Sequence, residues 1–383
     1  MLIESPEGGN EGFTGEIHLK SWLPEGLPTT SYRCGTLYLK GANPLGSSGK
    51  LHLTGVPSGC SGTGPNVILQ SAQLGGGVII SGHYKSTITS DKESTNVIQG
   101  AVSPSELDFA PDFVVGSNSC LTINGDVALS GIGYRAPSML LTIKSNAADG
   151  LQNTASIVFN GKLQNRWETM MGSDFGDIWF NAAGNTMLSL SALNINDNKS
   201  WYSCNWHMGA DDAFGGGTVA FVPAEGAGKT TVIDLHGHSQ YIGTLGAGNA
   251  NTLIKNSAPD TLADFRVNQT SDVTFAGKIS TGVKLVKDGA GTMTFSNANA
   301  FDVGSRRGGV LALMAGKVKA PADGLRVRQL KYYDKDGAEQ FVGPGTYEAA
   351  TAPEAIKGFF AEGSGPIKVH QGEGPNGAML FLK

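Results

Sequence analysis

No stretch of this chain carries apolar residues at helical spacing for long enough to make an ordinary helix. Short alternating runs are cut instead, at close intervals, by Gly, Asn, Asp or Ser. The pattern is densest from Thr231 to Ala320. It reads TVIDLHGHSQYIGTLGAGNANTLIKN, then VTFAGKISTGVKLVKDGAGTMTFSNANAF, then GGVLALMAGKVKA. Runs this short cannot bury an apolar face singly, so the chain has to stack strand over strand. A stack offers flat faces rather than a deep pocket, which favours display and binding over buried chemistry.

Composition agrees with an all-β chain rich in turns. Gly accounts for 55 of 383 residues, about twice the usual share. Charged residues make up 16%, against roughly 25% in an ordinary soluble domain. The apolar content of 40% is spread along the chain, unlike a disordered sequence. A net charge of −5 disfavours a nucleic-acid role, which is usually marked by a basic face. No apolar run is long enough for a membrane-spanning helix. Met1 to Gly12 has neither a basic nor an apolar leader region, and PheThrGly at 13–15 reads as the middle of a repeat. The expectation is an exported protein whose leader has been trimmed.

Four segments are distinguishable. Residues 1–155 carry candidate strands such as GTLYLKG, GKLHLTG, NVILQS, GGVIISG, FVVGS, CLTING and MLLTIKS, with a polar, irregular loop expected at 86–111. In GTLYLKG the side chains of Leu37 and Leu39 share one face, as do Leu51 and Leu53 in GKLHLTG. Residues 156–215 hold Trp167, Trp179, Trp201 and Trp206 and read as an irregular insertion or binding segment. Regular repeats occupy 216–320. Residues 321–383 contain two hairpin spellings, one turning at AspGly 336–337 and one at AsnGly 376–377. They predict an antiparallel cover for the terminal sheet edge.

The repeat at 231–320 resembles the autotransporter-associated β-strand repeat of bacterial surface and secreted passenger proteins, and 35–55 is similar to a weaker copy. The resemblance implies a right-handed parallel β-helix, a β-solenoid with an antiparallel C-terminal cap. It also implies export and a location outside the cell or on the outer-membrane surface. It carries no particular activity.

Several spellings have two readings. GluGlyAlaGlyLysThrThr at 225–231 has part of a phosphate-loop pattern, but Pro223 stands at the first glycine and a strand is expected where a helix should begin. His236 and His238 would share a face if on a strand, yet no further ligand lies close in sequence. AspLysAspGly at 334–337 fits a hairpin turn better than a calcium loop. No cofactor, metal or nucleotide is therefore expected. Cys34, Cys60, Cys120 and Cys204 form no metal spelling. Cys34 and Cys60 could bridge neighbouring turns, and four buried thiols is the equal alternative.

The aromatic group is the strongest lead: Trp167, Trp179, Trp201, Tyr202, Trp206 and His207. Exposed, these rings suit a sugar or an apolar partner; otherwise they fill the interior. The expected partner is an extracellular glycan or glycoprotein such as mucin, bound in adhesin fashion. The alternative is an extracellular hydrolase, a glycosidase or aspartic-type protease, using carboxylates from Asp174, Asp177, Asp211 and Asp212. As turn residues, these four would have no catalytic part.

Overall fold

The computed structural model describes the chain except for residues 7–9, 29, 58–59, 61–63, 82–85, 105–111, 129–138, 144–154, 165–167, 174–175, 187–188, 192–202, 217–219, 259, 306 and 371–383. The described residues are all-β, with mostly parallel pairing consistent with a β-solenoid, and their one α-helix is the four-residue Glu354–Lys357. The chain divides into two compact units, Met1–Gly215 and Gly216–Lys383.

In the first unit each strand pairs in parallel with one that follows it a turn later. Thr36–Ala42 pairs with Asn66–Leu74, which pairs with Thr87–Ser90 through its first half and with Thr95–Ile98 through its second. Between the halves, Ser71 adopts φ 52 and bends the strand. A separate ladder runs from Glu16–Lys20 through Lys50–Thr54 and Val78–Ser81 to Val102–Pro104. Alternation decides the faces: Leu37, Leu39, Leu51 and Leu53 all point inward and are buried, as their spacing predicts. Like stacks on like inside. Leu121 pairs with Ile157, Ile157 with Ile178, and Ile178 with Trp206. Beside them Phe159 stacks on Phe180 at 5.9 Å, and Phe180 meets Phe214 edge-on at 4.8 Å.

The irregular loop expected at 86–111 is instead strand over Thr87–Ser90, Thr95–Ile98 and Val102–Pro104; residues 105–111 lie outside the described set. The reason is a polar interior that hydrophobic alternation does not reveal. Ser90, Ser94, Asn96 and Ser119 are buried. Asn96 donates through Nδ2 to the hydroxyls of Ser90 and Ser94, both at 2.7 Å, and its Oδ1 accepts from the Ala72 amide at 2.7 Å. Buried polar groups are tolerated when their bonds are made internally. A second amide ladder runs along exposed strand ends. Asn181 donates to Asn160 (2.7 Å), Asn160 to Asn124 (2.7 Å) and Asn124 to Gln99 (2.6 Å), across 21, 36 and 25 positions of sequence.

The second unit repeats the principle. Gln240–Ile242, Ala263–Asn268, Val283–Asp288, Val310–Leu313 and Gln329–Tyr333 form one parallel ladder. Phe265, Leu285, Leu311 and Leu330 are stacked inward along it. In the next inward row, Val267 and Leu313 flank a lysine, Lys287, that is fully buried. Its ammonium donates to the carbonyls of Asp288 (2.6 Å), Gly289 (2.7 Å) and Ala315 (3.1 Å). Gly316 closes this nest at φ 70, where a Cβ would collide with both the Gly289 carbonyl and the ammonium. Thr231–Asp234 is a strand, so the phosphate-loop spelling before it leads into no helix. His236 and Gly237 follow it in left-handed turn conformations, φ 45 and φ 90, so the two histidines of 236–238 do not lie on a strand.

The AspGly hairpin forms as its sequence predicts. Glu339–Val342 pairs antiparallel with Gln329–Tyr333, Gly337 takes φ 79, and the Asp334 carboxylate accepts from the amides of Asp336 (3.0 Å) and Ala338 (2.9 Å). Ile367–Val369 pairs parallel with Leu325–Val327 and antiparallel with Gly345–Tyr347. The AsnGly hairpin at 376–377 lies outside the described residues.

Glu339 ties the hairpin down. Its carboxylate accepts from Lys284 (2.8 Å), Lys331 (2.5 Å) and the Tyr333 hydroxyl (3.2 Å). Desolvation pushes this carboxyl up, but the two ammonium groups outweigh it and hold it at about 2, below its ordinary 4.5. A carboxyl lowered by folding stabilises above its unfolded value, and that contribution is lost as pH falls through the folded one. The second unit should therefore lose stability between about pH 4.5 and about 2. Because Glu339 is partly solvated, about 1–2 kcal/mol is expected. Denaturant unfolding at pH 5 and pH 3 checks this: Glu339→Gln should show a flatter pH dependence than the wild type.

Candidate binding face

Two neighbouring strands of the first unit place the aromatic group. Asp177–Phe180 reads DIWF and sends Ile178 and Phe180 inward, leaving Asp177 and Trp179 outward. Cys204–Met208 reads CNWHM and buries Cys204, Trp206 and Met208, leaving Asn205 and His207 outward. The strands pair in parallel, with Asp177 opposite Asn205, Ile178 opposite Trp206 and Trp179 opposite His207. Cross-strand neighbours on one face are the unit of contact in a sheet.

The outward row therefore forms a small aromatic stack. The Trp179 indole and the His207 imidazole stack with centroids 4.3 Å apart and planes 11° from parallel. His207 Nε2 lies 2.9 Å from Asp177 Oδ1. An ionised carboxylate only accepts, so Nε2 carries the proton and donates. This bond and the stack fix the ring from two sides. Trp179 is half-buried, the Asp177 side chain is 40% exposed, and that of His207 only 12%. The result is a half-buried aromatic pair beside a partly exposed carboxylate, which together offer apolar ring surface and a hydroxyl acceptor.

Other expected site residues fall elsewhere. Trp206 is a correction: it is fully buried, the inward member opposite Ile178, and no surface ligand reaches it. Strand parity causes this, since Cys204 and Met208 share its inward face. Asp211 and Asp212 sit in an exposed turn, with Asp212 at φ 46 and its carbonyl accepting from the amide of Gly215 at 2.9 Å. Asp177 is bonded to the His207 imidazole. Trp167, Asp174, Trp201 and Tyr202 lie outside the described residues. All four cysteines are thiols; Cys34 and Cys60 are not joined.

The Asp177–His207 contact was not anticipated from the sequence. The alternation in DIWF and CNWHM identifies both residues as outward-facing, but only the register places them on the same patch. Comparison with protein families, with characterised proteins and with solved structures finds no match to this chain.

Proposed function

We propose that this chain is a secreted or surface-displayed β-solenoid that binds an extracellular polymer, a glycan or mucin-type glycoprotein, in the manner of an adhesin. In this reading each unit coils in the right-handed sense, and the antiparallel pieces at 329–347 and 367–369 cap the C-terminal edge. The observation that carries the binding role is the outward-facing Trp179–His207 stack with Asp177 at its border. Sugar rings present C–H faces to an aromatic surface and hydroxyls to a carboxylate, which is the chemistry this patch offers. Export rests on the similarity of 231–320 to passenger repeats, a reading supported by the parallel pairing of strands throughout that segment.

Retention on immobilised mucin or glycan beads tests the site. A central aromatic anchor is worth about 2 kcal/mol or more, roughly thirtyfold in affinity. Trp179→Ala should weaken retention by at least that factor while the thermal melt stays near wild type. Unchanged retention removes the stack from the binding site. The hydrolase reading has less support, because Asp177 is engaged by His207 and Asp211 and Asp212 form a turn. Incubating mucin with the wild type should release no fragments; fragments that disappear in Asp177→Asn would reverse the order of the two readings.

A further inference from the structure

On the other ladder of the first unit, two histidines and a glutamate converge on one point. Glu16–Lys20 and Lys50–Thr54 pair in parallel with His18 directly opposite His52. Leu51 and Leu53 are buried, so alternation sends His52 to the outer face, and the register puts His18 and Glu16 beside it. The imidazoles lie face to face, centroids 4.2 Å apart. Glu16 Oε2 is 3.2 Å from His52 Nε2 and 3.4 Å from His18 Nε2, and one ligand atom of each residue lies within 4.8 Å of the others.

One detail separates this cluster from an ordinary surface ion pair. His52 Nε2 is shut off from solvent, and the group that faces it is the Glu16 carboxylate, at 3.2 Å but in poor line for a hydrogen bond. A buried ring nitrogen whose one polar neighbour is badly aligned is only partly satisfied, and an occupant of its lone pair would complete it. A cation between the three donors supplies that occupant.

We propose that Glu16, His18 and His52 form a binding site for a zinc-class divalent cation. Two imidazoles and one carboxylate are a donor set that zinc uses, completed by water. Bonds of about 2.0–2.1 Å arranged tetrahedrally set ligand atoms about 3.3 Å apart, close to the observed spacings of 3.2 and 3.4 Å. Stacked rings do not share a plane, so one of them turns to bind, and the His18 side chain, 61% exposed, is free to do so. The single hard oxygen donor is too few for calcium or magnesium. Glu16–Lys20 is the edge strand of its six-stranded sheet among the described residues. The metal would clip that edge strand to Lys50–Thr54.

Zinc titration of the chelator-stripped full chain against a chromophoric chelator tests the site, with His18→Gln, His52→Gln and Glu16→Gln alongside. Wild type should hold one equivalent of zinc more than either histidine variant. Each histidine loss should weaken that equivalent by more than about tenfold, since even outer-shell losses reach that size. Zinc should raise the melting temperature of wild type but not of His18→Gln, whose exposed position leaves folding intact. Cobalt should give the intense absorption of a four-coordinate site in wild type alone. Equal zinc uptake by wild type and both histidine variants, or displacement by excess magnesium, overturns the proposal.

Discussion

Trp206→Ala should lower the stability of Met1–Gly215 by about 3–5 kcal/mol, the usual cost of truncating a large buried aromatic side chain. The ring is fully buried in an inward stack that includes Leu121, Ile157 and Ile178. Truncation opens a void beneath Ile178 that neighbouring turns, held in register by their backbone ladders, are poorly able to fill. Trp179→Ala, one strand away and outward, should cost no more than about 1.5 kcal/mol, the range of a lost aromatic pair. Denaturant unfolding of the two variants separates the effects. If the two costs are similar, the assignment of Trp206 to the core and Trp179 to the surface is wrong.

Lys287→Met is expected to produce the second large loss, in Gly216–Lys383. Methionine keeps the length and apolar stem of the side chain but leaves the carbonyls of Asp288, Gly289 and Ala315 without their shared donor. Leaving interior carbonyls short of a donor costs about 1–3 kcal/mol. Burial pushes the Lys287 ammonium from its ordinary 10.5 down to about 8, outweighing the opposing pull of Asp288 and Asp272. In the pH window between those two values the unfolded chain binds more protons than the folded one, so this lysine makes folding more favourable as pH rises. The stability gap between wild type and Lys287→Met should therefore widen from pH 7 to about pH 10. A constant gap would mean that the ammonium keeps its proton throughout.

Where a strand buries aliphatic residues at alternate positions, its local sequence identifies it. Leu37, Leu39, Leu51 and Leu53 lie inward as their spacing predicts, and Asp336–Gly337 turns the hairpin it spells. Thr95–Ile98 escaped notice because its inward Asn96 is polar, satisfied by Ser90, Ser94 and the Ala72 amide, all brought near by stacking. The site was legible only in part. Parity assigns Trp206 inward and Trp179 outward. Contact between Trp179 and His207, or between His18 and His52, depends on a pairing offset that varies from turn to turn. Nothing local to either strand encodes that offset.

The amide ladder bears on how such a chain can change over evolutionary time. Its links join residues 21, 36 and 25 positions apart while the bonds stay at 2.6–2.7 Å. The spacing between linked residues thus varies while the ladder keeps its bonds. Connections can lengthen, shorten or accept a grafted peptide as independent modules, so new contact surfaces can be acquired without redesigning the support that carries them.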